Sequence, residues 1–575
     1  MENPAPSTSL LRRFAAAAWL FAALLPLPLA WGRIGGEKVP FFGSVELLTL
    51  PVVGVFALAG AVAFGDWGAY RRDLRWRLFG AAQLLILLLT AWHRFAGMIG
   101  WRGALTALCW LALPVAAAGL KAELERVLPA VFALAAAVWL VSGVTSENFT
   151  GLAGNWNWTQ ALLAAVLPGA MLFSGERRWF FAAAALLLVV GMIGWWYPEQ
   201  LSRTLAVAIP LTAGWLAFRA RVPLRRPLAV IFTLFVLAAA AMLTVIFVAD
   251  WNDSRFQLWK GAADLALFHG ISGCGMEQFG NVVGVFLPEK YFFTPFAASW
   301  HPHPHNELLR WLGAYGLAGG LLIVSLVFLA LGRRARNDRE FAAQWAFLIL
   351  MLCGQTDVVL STVPGCILLL VCAGIAGGRR CRPAAVSRGR AWSASTLAGF
   401  ALLMAWTHFA ARLDYRRGQL ALSAGDVDAA RSAFRASVAR EDDPEVRYDL
   451  AELELIRLDA PEAAENSLKA LAAARQENYR HVWRLAAIRA FRTGDMSAAL
   501  AALERELRLY PYSVINAGLL AAMLERSGAS AGELAAARER LAILCRLRGV
   551  PPSQALTLAP AADDRPLNAK FAPGR

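Results

Sequence analysis

Residues 308–332 read LLRWLGAYGLAGGLLIVSLVFLALG, and the basic run RRARNDR follows directly at 333–339. An apolar run of about 20 residues is long enough for a helix to cross a bilayer. Similar runs, separated by short basic loops, recur over residues 1–412, and the chain is 58% hydrophobic and only 17% charged, more apolar than a typical soluble domain. The pattern predicts an all-α fold whose first domain, 1–412, is a polytopic bundle of about thirteen membrane spans. The predicted spans are 14–32, 46–65, 79–97, 103–120, 128–145, 158–174, 179–196, 203–219, 228–249, 308–332, 341–356, 361–378 and 392–412.

The charges of the loops predict the orientation of these spans. Arginine clusters fall in alternate loops, and the positive-inside rule places such loops in the cytoplasm. For 14–32 we favour an uncleaved anchor over a cleaved signal peptide, and the loop after it lies outside in either case. The N-terminus is then cytoplasmic, whereas the loop 146–157, the long loop 250–307 and the C-terminal domain lie outside. The predicted cytoplasmic clusters are Arg71, Arg72, Arg75 and Arg77; Arg177 and Arg178; Arg219, Arg221, Arg225 and Arg226; Arg333, Arg334, Arg336 and Arg339; and Arg379, Arg380, Arg382, Arg388 and Arg390.

Net charge and cysteine usage argue against two other classes of protein. The net charge is +15, but no recognition motif accompanies it, so nucleic acid is not an expected partner. Membrane topology accounts for the arginine clusters instead. The seven cysteines include no CxxC pair, so the sequence favours neither a disulfide framework nor a zinc site.

A short repeat marks the C-terminal region, residues 413–548. Gly425-Asp426-Val427-Asp428-Ala429-Ala430 recurs as Asp459–Ala464 and again as Gly494–Ala499, with a weaker copy at Ser527-Gly528. A period of about 34 residues with a turn between two helices is typical of tetratricopeptide repeats. We therefore predict a soluble α-solenoid outside the membrane, serving either as a rigid scaffold or lid, or as a dock for a protein partner or acceptor. Residues 549–575, rich in Pro, Ala and Asp, are predicted to be disordered.

Three histidines alternate with prolines at the end of the long outer loop, in Trp300-His301-Pro302-His303-Pro304-His305-Asn306-Glu307. The prolines favour an extended backbone, in which alternate side chains share one face. Such histidines can bind a metal, pack structurally or act in catalysis. No nearby cysteine or acidic cluster completes a zinc site. We favour catalysis, because a neutral imidazole accepts a proton from an alcohol near pH 7.

Four stretches, in chain order, resemble motifs of the bacterial O-antigen ligases, O-antigen polymerases and protein O-oligosaccharyltransferases. His305-Asn306, followed after nine residues by Gly316-x-x-Gly319, resembles the His-Asn-x9-Gly-x-x-Gly motif of that superfamily. The similar stretches before it are Gly154-Asn155-Trp156-Asn157, then Ser202-Arg203, and then Ser254-Arg255-Phe256-Gln257-Leu258-Trp259 with Gly273-Cys274-Gly275 and Phe279. Trp156 departs from the usual proline, and Ala314 stands where many members carry glutamate. Residues 1–145 match only as generic spans.

The resemblance implies a GT-C-like glycosyltransferase of the bacterial inner (cytoplasmic) membrane, with a periplasmic reaction site and no metal or other cofactor. Its donor would be a glycan on undecaprenyl pyrophosphate, and its acceptor a hydroxyl of lipid A core, of a protein or of another lipid-linked glycan. His305 would take the acceptor proton. Arg203 and Arg255 would bind the pyrophosphate, because arginine forks two hydrogen bonds to phosphate. The residues assigned to substrate binding are Asn155, Asn157, Asn306, Trp259 and His303.

Alternatives remain for the residues and for the whole protein. The arginines can anchor lipid headgroups, the asparagines can cap helices, and Trp259 can lie in the aromatic belt of the membrane interface. A lipid-linked glycan flippase would need charged residues along a central path and repeat symmetry between halves, and the sequence displays neither. A non-catalytic anchor for the solenoid would leave Arg203, Arg255 and His305 unexplained.

Overall fold

The computed structural model describes residues 33–34, 37–38, 49–96, 99–145, 156–172, 177–196, 203–221, 254–293, 300–379, 386–474 and 476–549. Over these ranges the regular secondary structure is helical, apart from a two-residue antiparallel ladder of β1, Arg33–Ile34, and β2, Glu37–Lys38. The predicted all-α fold is thus confirmed for the described residues. The chain divides into two compact units, the first from residues 1–251, 266–277 and 303–409, and the second from 252–265, 278–302 and 410–575.

The helices up to residue 423 mostly build the first unit. Short 3-10 turns at Val283–Phe286, Glu289–Phe293 and Val359–Ser361 interrupt the series. In chain order the helices are α1 Leu50–Phe64, α2 Ala69–Arg72, α3 Leu74–Phe95, α4 Trp101–Gly119, α5 Lys121–Thr145, α6 Trp156–Met171, α7 Arg177–Trp196, α8 Arg203–Arg221, α9 Ser254–His269, α10 Phe279–Val282, α11 Glu307–Leu331, α12 Asp338–Cys353, α13 Val363–Gly377 and α14 Arg388–Ser423.

Five helices in the described part of the chain are long and apolar enough to cross a membrane: Leu74–Phe95, Trp101–Gly119, Lys121–Val141, Glu307–Leu331 and Arg388–Ser423. Shorter apolar helices occur at Leu50–Phe64, Arg178–Leu187, Val207–Phe218 and Val363–Gly377. Every predicted span coincides with a helix except 14–32 and 228–249, which lie outside the described residues. The count of thirteen spans and their orientation stay predictions.

Side-chain caps determine where several of these helices begin. Asp73 accepts a hydrogen bond from the Arg75 amide at the start of α3, and Asn337 accepts one from the Glu340 amide at the start of α12. Thr362 caps α13 in the same way. Each oxygen satisfies an amide that has no partner within its own helix.

Arginine side chains, one buried and one half-buried, close the C-terminal ends of α11 and α13. The Arg75 guanidinium donates to the carbonyl oxygens of Leu329 and Gly377 at 3.2 and 3.3 Å. Arg333 donates to the carbonyl oxygens of Ala376 and Gly378. These carbonyls have no amide partner in the last helical turn. A cation there also interacts favourably with the negative, C-terminal end of the helix dipole. Charged residues at this end of the bundle therefore fix the positions of its helices.

Carboxylates balance part of that positive charge. Glu340, which is buried, accepts from the Lys121 ammonium at 2.5 Å and pairs with Arg333 at 3.1 Å and Arg336 at 2.9 Å. Asp73 pairs with Arg75 at 2.6 Å. Burial alone would raise the pKa of Asp73, but the hydrogen bonds and charge of Arg75 outweigh it and hold that pKa below its ordinary value.

The second unit contains the C-terminal repeats. Turns recur at the predicted spacing, and each contains a residue with positive φ: Gly425, Asp459, Gly494 and Gly528. Asp426 and Asp495 then cap the next helix by accepting from an amide three residues on. Consecutive helices joined by such turns fit the repeat prediction, whereas the tetratricopeptide assignment itself stays a prediction. The helices are α15 Val427–Arg440, α16 Pro444–Glu452, the π-helix Leu453–Arg457, α17 Pro461–Ala473, α18 Val482–Arg492, α19 Met496–Leu509, α20 Val514–Ser527 and α21 Ala531–Arg548.

Part of the predicted outer loop packs within the second unit. The Asn281 amide donates to Gln476 at 2.8 Å, and the Trp300 and Tyr479 ring centroids lie 4.7 Å apart. The predicted tail, 549–575, lies outside the described residues apart from Gly549.

Candidate functional site

The first unit brings the favoured histidine against a carboxylate. His305 lies directly before α11, and Asp357 lies in the turn that follows α12. Their closest atoms, Nδ1 of His305 and Oδ1 of Asp357, are 3.5 Å apart. The Asp357 side chain is only 10% exposed, whereas His305 is 29% exposed and can meet a substrate. Burial of the carboxylate side of the pair strengthens its electrostatic effect on the ring.

Asp357 is itself held by two donors. The Trp158 indole donates to Oδ1 at 3.0 Å, and the Val358 amide donates to the same oxygen at 2.7 Å. Hydrogen bonds to the charged form of a carboxylate favour that form. Trp158 belongs to α6, so three separate chain segments meet at this carboxylate.

The start of α11 explains why His305 and Asp357 meet. Asn306 caps α11 by accepting from the Leu309 amide at 2.9 Å, and its Nδ2 donates to the Gln355 carbonyl at 2.9 Å. The Glu307 amide also donates to the Gly354 carbonyl at 2.8 Å. These bonds join the end of α12 to the beginning of α11. Of the two roles open to Asn306, the helix cap is the one observed.

A buried ion pair lies in the first turn of α11, directly after His305 and Asn306. The Glu307 carboxylate accepts from Arg310 Nη1 at 3.0 Å and from the Trp311 indole at 2.9 Å. Arg310 also donates to the Ser361 hydroxyl at 3.0 Å. Both charges are buried, and a buried pair of this kind is stable only when its hydrogen bonds are satisfied. The ion pair fixes the first turn of the helix behind His305.

His303 occupies a more enclosed position than His305. Its Nδ1 atom is buried and has no hydrogen-bond partner among the described residues. Burial first, and then the charges of Arg310 and His305, hold the pKa of His303 well below its ordinary value. The ring is therefore neutral at physiological pH.

The sequence predicted an extended backbone through all three histidines, and this prediction is wrong at His305. His305 has φ of 54°, in the left-handed region that non-glycine residues rarely occupy, so its ring does not continue the alternation. The bend turns the chain into α11, where Asn306 caps the helix. His301 lies in the second unit, where its Nε2 is hydrogen-bonded to the Tyr291 hydroxyl. Over the described ranges, no group of three histidine, cysteine or acidic residues is placed to hold a metal ion.

The motif glycines have a steric explanation. Gly316 breaks the helical geometry of α11 with φ 56° and ψ −140°, and a Cβ there would lie 2.1 Å from the Gly270 carbonyl oxygen. The adjoining loop binds the same break, since the amides of Cys274 and Gly275 donate to the carbonyls of Gly313 and Ala314 at 2.9 Å. A Cβ on Gly319 would lie 1.9 Å from the Trp311 carbonyl oxygen. The motif therefore shapes the kinked helix that carries His305 at its start.

The remaining predicted site residues are placed less completely. Arg203 begins α8, but its side chain and all of Asn155 lie outside the described part of the structure. Asn157 lies in the first turn of α6, beside Trp158. Arg255 and Trp259 lie on the part of α9 that belongs to the second unit, and the Trp259 indole nitrogen is buried without a hydrogen-bond partner among the described residues. A common site for Arg203, Arg255 and His305 stays a prediction.

The structure adds residues that the sequence analysis did not assign. These residues are Asp357, Trp158 and Arg310. The available signal for Asp357 was a carboxylate at the end of an apolar run, because ionisable groups there are costly and usually functional. The pairing of Asp357 with His305 depends on a contact between residues that are far apart in the sequence.

This arrangement supports proton transfer. A carboxylate that accepts from Nδ1–H of an imidazole fixes the tautomer whose Nε2 can accept a proton, and it stabilises the imidazolium that forms.

Comparison of the chain with protein-family models, with curated proteins and with solved structures gives no match in any of the three.

Proposed function

We propose that the protein is a membrane glycosyltransferase of the O-antigen ligase type, which moves a glycan from undecaprenyl pyrophosphate to an acceptor hydroxyl at the periplasmic face. The pairing of His305 with Asp357 at the start of a span-length helix carries this proposal. The order of the motifs, from Asn155 to Gly319, supports the superfamily. Lipid A core, a protein or a second lipid-linked glycan can each supply the hydroxyl, because the local chemistry is the same for all three.

His305 acts as the general base in the proposed reaction. Its Nε2 takes the proton of the acceptor hydroxyl while Asp357 holds the Nδ1–H and balances the charge. At 3.5 Å the two atoms are in ion-pair contact without hydrogen-bond geometry, and such contacts commonly tighten into hydrogen bonds when substrate binds. The neutral ring of His303 places no competing positive charge beside the base.

The leaving group is the second half of the reaction. The acceptor oxygen forms a bond to the anomeric carbon while the bond from that carbon to the pyrophosphate oxygen breaks, and the electron pair leaves with the pyrophosphate. Attack opposite the leaving group inverts the anomeric centre. Arg203 and Arg255 stabilise the departing charge, which fixed guanidinium groups can do without a metal ion.

The proposed location follows from the loop charges. The arginine-rich loops indicate a cytoplasmic N-terminus. The nine predicted spans before His305 then put it and the long outer loop in the periplasm, and the predicted total of about thirteen puts the C-terminal repeats there as well. The repeats are then available to a protein partner or to the acceptor. A flippase is less well supported, because the buried charges of Glu340 and Arg75 hold helix ends together.

Replacing His305 by alanine tests the proposal. The full chain, purified in detergent, is assayed for transfer from a lipid-linked glycan to candidate acceptors and, separately, for binding of the donor. We expect transfer to fall by about 10²–10⁴-fold with donor binding retained. Arg255→Lys should instead weaken donor binding, because lysine cannot fork to two phosphate oxygens. His269→Ala, at a histidine outside the proposed site, is the control, and unchanged transfer by His305→Ala would remove the base from the mechanism.

A further inference from the structure

A cavity of about 540 Å³ lies in the first unit, away from His305. Its size falls in the range of about 300–1,000 Å³ that is typical of small-ligand pockets. The walls come from α7, α8 and α12, and most of them are apolar. Representative wall residues are Phe180, Phe181, Ala213, Leu216, Phe341 and Trp345.

The polar end of the cavity is formed by Arg336, Asn337 and Asp338, in the turn before α12. This turn follows the C-terminal end of α11, whereas His305 precedes its N-terminal end. The cavity is therefore separate from the proposed catalytic site along that helix. It combines an apolar interior with a charged rim, which is the pattern of an amphipathic ligand.

The charge at the rim favours an anion. The Arg336 side chain is 48% exposed, and its carboxylate partner, Glu340, already pairs with Lys121 and Arg333. Glu340 therefore neutralises Arg336 only in part, and one edge of the guanidinium can take a further acceptor. Four arginines, against two acidic residues, lie in the short segment around this rim: Arg333, Arg334, Arg336 and Arg339, with Asp338 and Glu340.

The surroundings of the cavity favour a lipid. Its walls on α7 and α8 belong to the apolar segments Arg178–Leu187 and Val207–Phe218. On α7, the apolar side chains of Phe181 and Leu186 are exposed, as expected for a helix that faces acyl chains. Basic pockets between membrane helices at the cytoplasmic end of a bundle bind acidic lipid headgroups.

We propose that this cavity binds an anionic phospholipid, with one acyl chain between α7, α8 and α12 and the phosphodiester on Arg336. The wall of Phe180, Phe341 and Trp345 supplies the apolar contact, and the guanidinium supplies charge-assisted hydrogen bonds to phosphate oxygens. The lipid would join the turn before α12 to the two helices that contribute its other walls. The site does not depend on the glycosyltransferase activity.

Native mass spectrometry of the full chain in detergent tests the proposal. The probes are phosphatidylglycerol, phosphatidylcholine and inorganic phosphate, each titrated separately. We expect one phosphatidylglycerol to bind at low concentration, with weaker binding of phosphatidylcholine and none of free phosphate. Equal affinity for the two lipids, or binding of inorganic phosphate alone, would overturn the proposal.

Two pairs of variants locate the site. Ala213→Trp fills the cavity and should abolish binding of the first phosphatidylglycerol, whereas Ala182→Trp, at an exposed position of α7, should not. Arg336→Gln should weaken binding by about fivefold, the effect of about one cation beside an acidic lipid, and Arg334→Gln should have less effect. Arg336→Lys should restore part of the affinity. If Ala213→Trp does not fold, the comparison of Arg336→Gln with Arg334→Gln decides. An equal loss of phosphatidylglycerol affinity in these two variants would contradict the assignment of the headgroup to Arg336.

Discussion

Replacing Gly316 by alanine is expected to destabilise the first unit by about 3–5 kcal/mol. The backbone of Gly316 has φ 56° and ψ −140°, a conformation that costs a residue with a Cβ about 1–3 kcal/mol. The new Cβ would also lie 2.1 Å from the Gly270 carbonyl oxygen, which is backbone and cannot rotate away. Displacing that loop breaks the two hydrogen bonds that Cys274 and Gly275 donate, each contributing about 1 kcal/mol.

Gly320→Ala provides the matched control on the same helix. Gly320 has helical backbone, and the atom nearest to its added Cβ is the end of the flexible Leu312 side chain. Its effect should stay within about 1 kcal/mol, because alanine has the higher helix propensity. Unfolding of the purified chain by a denaturing detergent, followed by circular dichroism, gives the two free energies of unfolding. Equal stability of the two variants would show that the break at Gly316 is not needed.

Two further predictions concern pH and the repeats. The low pKa of His303 keeps its ring neutral in the folded protein. In the unfolded chain the same ring takes up a proton below the ordinary histidine pKa of 6.5. The free energy of unfolding should therefore decrease as the pH drops below 6.5. His303→Gln should reduce this fall in acid denaturation curves, and an identical pH dependence would contradict the placement of the ring. Asp495→Ala should cost the second unit about 1 kcal/mol through loss of the cap on Ala498, while Ser497→Ala, exposed on the same helix, should cost less. Thermal unfolding measures both variants, and equal losses would count against the cap.

The sequence predicted the helices well, because apolar runs and caps are local features. The run at 308–332 corresponds to α11, Glu307–Leu331, and the repeats at 425, 459, 494 and 528 fall on turns with positive φ. The charged ends of the helices were harder to predict from the sequence. Lys121 and Glu340 lie inside helices but outside the predicted apolar runs, because charged residues lower the apolarity on which the span limits depend.

The candidate site was predicted only in its local part. The histidine motif identified His305 and Asn306, and its glycines coincide with the kink in α11. The partner carboxylate could not be derived, because Asp357 reaches His305 through bonds that join the end of α12 to the start of α11. The bend at His305 was also missed, since alternating prolines suggested an extended backbone to the end of the segment.

The pairing of His305 with Asp357 is the central claim, and glycan transfer by Asp357→Asn tests it most directly. Asparagine keeps the size of the side chain but cannot balance an imidazolium or favour the reactive tautomer. We expect the rate of transfer to fall by about 10²–10⁴-fold with binding of the lipid-linked donor unchanged, while Asp264→Asn, at an exposed position in the second unit, transfers as the wild type does. Transfer by Asp357→Asn within about twofold of the wild-type rate would contradict the claim, since an effect that small is far below the range for general-base catalysis.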